Sequence, residues 1–170
     1  AGRLTPWKGF QGLIEAFSHM IKKRKDVTLV IIGSGDERPE LESYVREKAI
    51  HGVRFTGALA KSDMHEYLSA ADVFVLNTAY EGFSHQILES MAHRVPVITT
   101  SVGGNTEIIT LGVNGIVVPY NDTARLEEEL RNMLEQESVR ERLGKAGRKT
   151  AEQFSKRRLA EELTRALRGK

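Results

Sequence analysis

Two carboxylates sit close together in one stretch of this chain, in a setting that suits a ligand with several hydroxyl groups. In Tyr80-Glu81-Gly82-Phe83-Ser84-His85-Gln86-Ile87-Leu88-Glu89-Ser90-Met91-Ala92, seven residues separate Glu81 from Glu89. Glu81 falls in a loop after an apolar run, and the pattern puts Glu89 about two turns into the following helix, with Leu88 and Met91 towards the core. First-turn amides at Gly82, Phe83 and Ser84 can receive a phosphate. Glu89 can accept two hydrogen bonds from a ribose diol, and Glu81 can reach a hexose hydroxyl. The same residues also read as a solvated turn glutamate followed by a capped helix. His85 titrates near neutral pH and is a candidate general base, although a single histidine beside a helix start more often serves structure. The other four histidines, His19, His51, His65 and His93, show no close pair, which argues against a metal cluster.

Three further places carry polar or glycine-rich chemistry. Arg3 and Lys8 flank a turn with Pro6 and Gly9, just before a helix. Two cations at a helix N-terminus can hold a diphosphate, or they can simply be solvated. Gly33-Ser34-Gly35-Asp36-Glu37 follows an apolar run and opens a helix. Its glycines allow close approach of a ligand, but the third glycine of a dinucleotide fingerprint is absent, so an NAD site fits poorly. Its plain alternative is a tight turn with Asp36 as helix cap. Ser101-Val102-Gly103-Gly104-Asn105-Thr106-Glu107 could cradle phosphate or sugar through its amides, or be a flexible loop capped by Asn105 or Thr106.

Short apolar runs must position these loops. Residues 27–32, 53–55, 72–76, 95–99 and 115–118 read as buried strands, each stopped by glycine, asparagine, threonine or proline. Helical periodicity fills the intervals, over residues 9–24, 36–49, 64–70, 83–92 and 106–111. In the first of these Phe10, Leu13, Ile14, Phe17 and Ile21 share a face; in the second Leu41, Tyr44, Val45 and Lys48 are in phase. From Thr123 onwards the chain reads as two or three helices rich in Glu, Arg and Leu, with Gly144 and Gly147 as interruptions and i,i+4 pairs such as Glu127 with Arg131. Strands alternating with helices predict a three-layer α/β fold with a doubly wound parallel sheet and extra C-terminal helices. Ligands of such sheets bind beyond the carboxyl ends of the strands, where the polar and glycine-rich residues cluster.

Composition narrows the function classes. The 170 residues are 40% hydrophobic and 28% charged, an ordinary globular balance for one domain over residues 1–170. A net charge of +2, from 25 basic and 23 acidic residues, demands no nucleic-acid partner. The basic runs Lys22-Lys23-Arg24-Lys25 and Lys156-Arg157-Arg158 read as solvated helix ends, or more sharply as contacts with an anionic membrane. Without cysteine there are no disulfides and no thiolate metal sites. No apolar run approaches the ~20 residues of a membrane span. The abrupt start, with no initiator Met and no signal peptide, reads as a fragment of something longer.

In order along the chain, these segments resemble the family-4 retaining glycosyltransferases (glycosyl transferases group 1), whose two Rossmann-like domains face each other across a cleft in the GT-B fold. Gly2-Arg3-Leu4 with Lys8-Gly9 looks like that family's opening Arg and Lys motif, and Gly33-Ser34-Gly35 like its glycine loop. Phe55-Thr56-Gly57 looks like the segment that meets the base. Ala71-Asp72-Val73-Phe74-Val75, Glu81-Gly82-Phe83 and Glu89-Ser90-Met91-Ala92 look like the hallmark glutamate pair and its strand. Pro96-Val97-Ile98, Gly103-Gly104 and Glu107 look like the loop that follows.

The resemblance implies a Rossmann-like, C-terminal donor-binding domain for a nucleotide sugar (UDP-, GDP- or ADP-linked), with hexose transferred to a saccharide or lipid-linked acceptor. Glu81, Arg3 and Lys8 would be its catalytic residues, with the two cations neutralising the departing diphosphate. Gly33, Gly35, Arg54, Phe55, Gly82, Phe83, Ser84, Leu88, Glu89, Gly103 and Gly104 would bind substrate. Arg54 and Phe55 would frame the base through main chain, and Glu89 would take the ribose. No metal or other cofactor is expected. The resemblance also implies a missing N-terminal acceptor domain, an inactive fragment, and a cytoplasmic location with peripheral contact of the full-length protein at the membrane face. Ser84-His85-Gln86 replaces the family's frequent Gly-Leu-Pro, and the first strand is cut short before Gly2, which is expected to weaken a sheet edge. Leu159, Leu163 and Leu167 invite weak self-association. A half-domain of a sugar-nucleotide 2-epimerase and a non-catalytic nucleotide-sugar binding module remain the alternatives.

Overall fold

The computed structural model describes residues 1–22 and 24–154. Lys23, the basic run at Lys156, Arg157 and Arg158, and Leu159, Leu163 and Leu167 lie outside the described residues.

Strands and helices alternate as their apolar periods dictate. A 3-10 turn (Pro6–Lys8) leads through Gly9, at φ 56°, into α1 (Phe10–Met20). Then come β1 (Leu29–Ile32), α2 (Arg38–Glu47), β2 (Val53–Gly57), α3 (Lys61–Ala70), β3 (Phe74–Leu76), α4 (His85–Ala92), β4 (Val97–Thr100), α5 (Asn105–Ile108) and β5 (Ile116–Val118). Two helices, α6 (Thr123–Glu135) and α7 (Glu137–Gln153), complete the described chain. All five expected strands exist and every pairing is parallel. Four strands start one or two residues late, with Thr28, Val73 and Pro96 leading into the ladder without joining it, while β2 and β4 run on to Gly57 and Thr100, two residues and one residue beyond the expected ends.

Helices cover both faces of the strands. One apolar layer joins α1, α2 and α6 to β1 through Phe10, Ile14, Leu41 and Leu126. The other joins α3 and α4 to β3 through Leu68, Phe74, Ile87 and Met91. β4 is buried along its whole length and divides the two layers, as a strand covered on both sides must. Hydrogen bonding groups the strands as β1-β2 and β3-β4-β5. The expected weakness before Gly2 is therefore not at a sheet edge: residues 1–4 run alongside the end of β1, with Gly2 N–H donating to Ile32 C=O (2.8 Å) and Leu4 N–H to Ser34 C=O (2.9 Å). Trp7 C=O accepts from Ala79 N–H, just beyond β3 (2.7 Å). The gap lies in the middle, between β1 and β3.

Three local expectations are corrected. Gly144 and Gly147 do not interrupt a helix but lie buried inside α7. A Cβ on Gly144 would stand 2.1 Å from Arg94 O, and one on Gly147 3.0 Å from Met91 Cγ. Glycine there lets α7 lie close against α4, which outweighs its poor helix propensity. The helix after the second glycine loop ends at Ile108, and Leu111 is exposed, bridging to Gly115. In α2 only Leu41 is fully buried and Lys48 is exposed, so the apolar stripe is narrower than its phase implies. The Glu127–Arg131 pair is present at 3.5 Å.

Candidate functional site

Four loops meet at the carboxyl ends of the strands, and the chain's own backbone locks them together. The glycine requirement is clearest at Gly33, with φ 138°, where a Cβ would fall 1.8 Å from Gly2 O. Gly35 is equally tight against Leu4 O, at 2.2 Å. This first glycine loop is thus shaped by the Arg3 segment lying on it. Neither Asp36 nor the N-cap residue Glu37 makes a side-chain cap bond to α2.

The Glu81 loop is braced in the same way. A Cβ on Gly103, at φ 48°, would sit 1.7 Å from Glu81 O, and Gly104 N–H donates to Gly82 C=O (2.7 Å). Asn105 does not cap α5. It is buried, and its amide donates to Thr99 Oγ1 (3.1 Å) and Thr100 C=O (3.2 Å), which ties the loop to β4. Thr106 bonds back to Gly103 C=O.

Lys8 and Glu81, 73 residues apart, form a salt bridge with side chains only 14% and 17% exposed. Arg3 is exposed on the same N-terminal segment as Lys8. Ser84 caps α4 by accepting from Ile87 N–H (3.4 Å), so the helix start presents Gly82 and Phe83, both exposed. Nothing lies within 4 Å of a Cβ on Gly82, which leaves that surface open. Glu89 is half-buried on α4, and Leu88 packs against the α3/α4 layer. Gln86 reaches from α4 to Gly2, 3.4 Å from its Cβ position. Arg54 is exposed and Phe55 half-buried on β2, joined to the site through Gly33 N–H donating to Gly57 C=O (2.8 Å). His85 is exposed at the start of α4, its ring 5.8 Å from Phe83 and edge-on.

Several residues that hold this arrangement were not singled out from the sequence. Asn77, 2% exposed at the end of β3, donates to Gly9 C=O and Asn121 Oδ1, both at 2.9 Å, and accepts from Asn121 N–H. Thr78 donates towards Trp7 C=O and Tyr80 C=O. The available signal was an asparagine ending an apolar strand, where a buried amide needs partners. Thr5 Oγ1 and Asn105 Oδ1 are buried without a partner.

The histidine expectation is also corrected. His65 Nδ1 and His93 Nε2 lie 2.7 Å apart, and Ser69 Oγ is 2.9 Å from His93 Nδ1. Sequence distance hid this pair because α3 and the end of α4 meet only in the fold. Burial, then the His65 and Arg148 charges, lowers the His93 pKa below its usual 6.5. Among the described residues no group of three or more His, Cys, Asp or Glu is placed to hold a metal ion, and no helix is long and apolar enough to cross a membrane.

A Rossmann-like α/β domain with its polar loops on the strand ends is the class that fold and site define. The profile of the family Glycosyl transferases group 1 matches residues 1–150, and the chain belongs to that family. It is 32% identical over 171 aligned positions to the lipopolysaccharide core biosynthesis glycosyltransferase LpsE of Rhizobium meliloti, covering 99% of this chain and 48% of that protein. It is 35% identical to a GDP-mannose-dependent monoacylated α-(1-6)-phosphatidylinositol monomannoside mannosyltransferase of Corynebacterium glutamicum, covering 97% and 45%. The chain thus spans just under half the length of these relatives. Among solved structures, the C-terminal domain of a glycosyl transferase group 1 family protein (LpcC) from Francisella tularensis superposes with a TM-score of 0.81 at 29% identity, covering 88% and 80%. HepE from Anabaena, in complex with UDP, gives 0.83 at 25% identity, covering 96% and 48%.

Proposed function

We propose that this domain binds the nucleoside-diphosphate sugar of a retaining glycosyltransferase that transfers a hexose to a saccharide or lipid-linked acceptor. The observation that carries the proposal is the Lys8–Glu81 pair, held between the Pro6 turn and the open start of α4. A diphosphate arriving at Gly82 and Phe83 competes with Glu81 for Lys8. Lys8 and Arg3 then oppose the charge that grows on the leaving diphosphate. Released from Lys8, the Glu81 carboxylate accepts a hydrogen bond from a hexose hydroxyl. Glu89 accepts from the ribose diol, and the main chain at Arg54 and Phe55 frames the base. Holding donor and acceptor in register supplies much of the acceleration. The complex of HepE with UDP-glucose supports a nucleotide sugar as the ligand.

The test is product analysis with the full-length protein. Incubated with UDP-, GDP- or ADP-linked hexoses and acceptor, it should yield a glycoside whose anomeric proton coupling matches that of the donor. An inverted anomer contradicts the retaining mechanism, and a free sugar epimerised at C2 contradicts transfer altogether.

A further inference from the structure

Exposed aromatic side chains gather around the turn that carries Lys8, and we propose that Trp7 and Tyr80, flanked by Tyr120, form the seat of the acceptor, an uncharged sugar ring. The inference rests on the donor-site reading above and adds the chemical class of the second substrate.

Each member of the Lys8–Glu81 pair directly follows an exposed aromatic residue. Trp7, before Lys8, is 48% exposed, and Tyr80, before Glu81, is 73% exposed. Backbone contacts hold the two segments together. Trp7 C=O accepts from Ala79 N–H (2.7 Å), and Thr78 Oγ1 lies 3.1 Å from the same carbonyl and 2.7 Å from Tyr80 C=O. At the same turn Tyr120 Oη donates to Pro6 C=O (3.1 Å), yet the residue stays exposed. Its neighbour Asn121 is pinned to the end of β3 through Asn121 N–H donating to Asn77 Oδ1 (3.1 Å). Three separate segments thus bring aromatic residues to the turn beside the salt bridge.

Aromatic side chains such as Phe10, Phe17 and Phe74 are buried in this fold, whereas Trp7 and Tyr80 stand in water beside an ion pair. Exposed apolar area of that kind marks a contact surface. A pyranose suits it, because its ring presents C–H groups on one face and hydroxyls around its edge. The C–H face lies well on an indole or phenol ring, and the edge hydroxyls can donate to the Glu81 carboxylate. Glu81 also holds the hexose to be transferred, so a ring at Tyr80 lies next to the reacting centre. Charge selects against an anionic acceptor. Residues 77–82 and 119–122 carry two charged side chains, Glu81 and Asp122, both acidic. Asp122 caps α6 by accepting from Arg125 N–H (3.0 Å). With Lys8 and Arg3 committed to the leaving diphosphate, these segments offer no cation to a phosphate or carboxylate.

Trp7 is the chain's single tryptophan, so its fluorescence reads this place directly. The chain, saturated with the nucleotide it binds, is titrated with methyl glucoside, methyl galactoside and methyl mannoside, and separately with glycerol 3-phosphate. A saturable change in Trp7 emission is expected with at least one methyl hexoside. Tyr80→Ala should raise that dissociation constant about tenfold or more and Tyr80→Phe, which keeps the ring, less than about twofold. Nucleotide affinity, measured by calorimetry, should stay within about twofold in both variants, and their melting temperatures should match the parent's. A response to glycerol 3-phosphate alone overturns the proposal, as does a hexoside response that Tyr80→Ala leaves unchanged. Bound nucleotide with no response to any of the four probes also overturns it while leaving the donor reading intact. Absence of nucleotide binding removes the donor reading, and the acceptor seat falls with it.

Discussion

Lys8 and Glu81 are each other's partners in the fold, although the sequence presents them as two separate binding residues. Their types and loop positions were legible, because Pro6 and Gly9 mark a turn around Lys8 and the apolar run ending at Leu76 puts Glu81 in the loop that follows. Their pairing was not, since it depends on the Pro6 turn lying across β3. His65 and His93 teach the same lesson away from the site. His93 has a folded-state pKa below its unfolded value of 6.5, from burial first and then from the His65 and Arg148 charges, with Glu89 opposing weakly. As pH falls through 6.5, the unfolded chain takes up the His93 proton first. Stability present above that pH is therefore lost as pH falls towards the lower folded value. Urea midpoints measured across this window should fall more steeply for the parent than for His93→Asn. Equal slopes would show that His93 is not linked to folding.

At the scale of elements, the apolar runs and helical periods specified every strand and the order of the helices. Strand ends were less legible, since apolar residues such as Val73 extend beyond the ladder. The glycines were legible as special but not as to why. Gly33 and Gly35 approach the segment at Gly2 and Leu4, Gly103 approaches Glu81, and Gly144 approaches Arg94. In each case the close neighbour is backbone from a distant part of the chain, which a local pattern cannot reveal. The two loops at Glu81 give a direct comparison. Gly103→Ala meets Glu81 O at a positive φ and should cost at least about 2 kcal/mol in denaturant unfolding. Gly82→Ala meets nothing within 4 Å and should change stability by less than about 0.5 kcal/mol. Similar losses in the two variants would mean that the brace between the loops is absent.

Across the whole molecule, parallel strands with helices on both faces bring the Arg3–Lys8, Gly33–Gly35, Glu81–Ser84 and Gly103–Gly104 segments to the carboxyl ends of the strands, where such folds bind ligands, whereas Arg54 and Phe55 lie within β2 and Leu88 packs into the α3/α4 layer. The family membership and the fold agree with what the ordered motifs implied. That residues 1–4 run beside the end of β1 rather than along a sheet edge was not foreseen, because their tertiary neighbours leave no local signature. The central claim is that the strand-end loops bind a nucleoside diphosphate. Its most direct test is calorimetric titration of the chain with UDP, GDP and ADP, alongside Glu89→Ala and Arg3→Ala. The account predicts saturable binding of one of these nucleotides, weakened about tenfold or more by each substitution, a loss of about 1.4 kcal/mol or more. Binding left unchanged by both substitutions, or no binding of any nucleotide at millimolar concentration by the full-length protein, would contradict it.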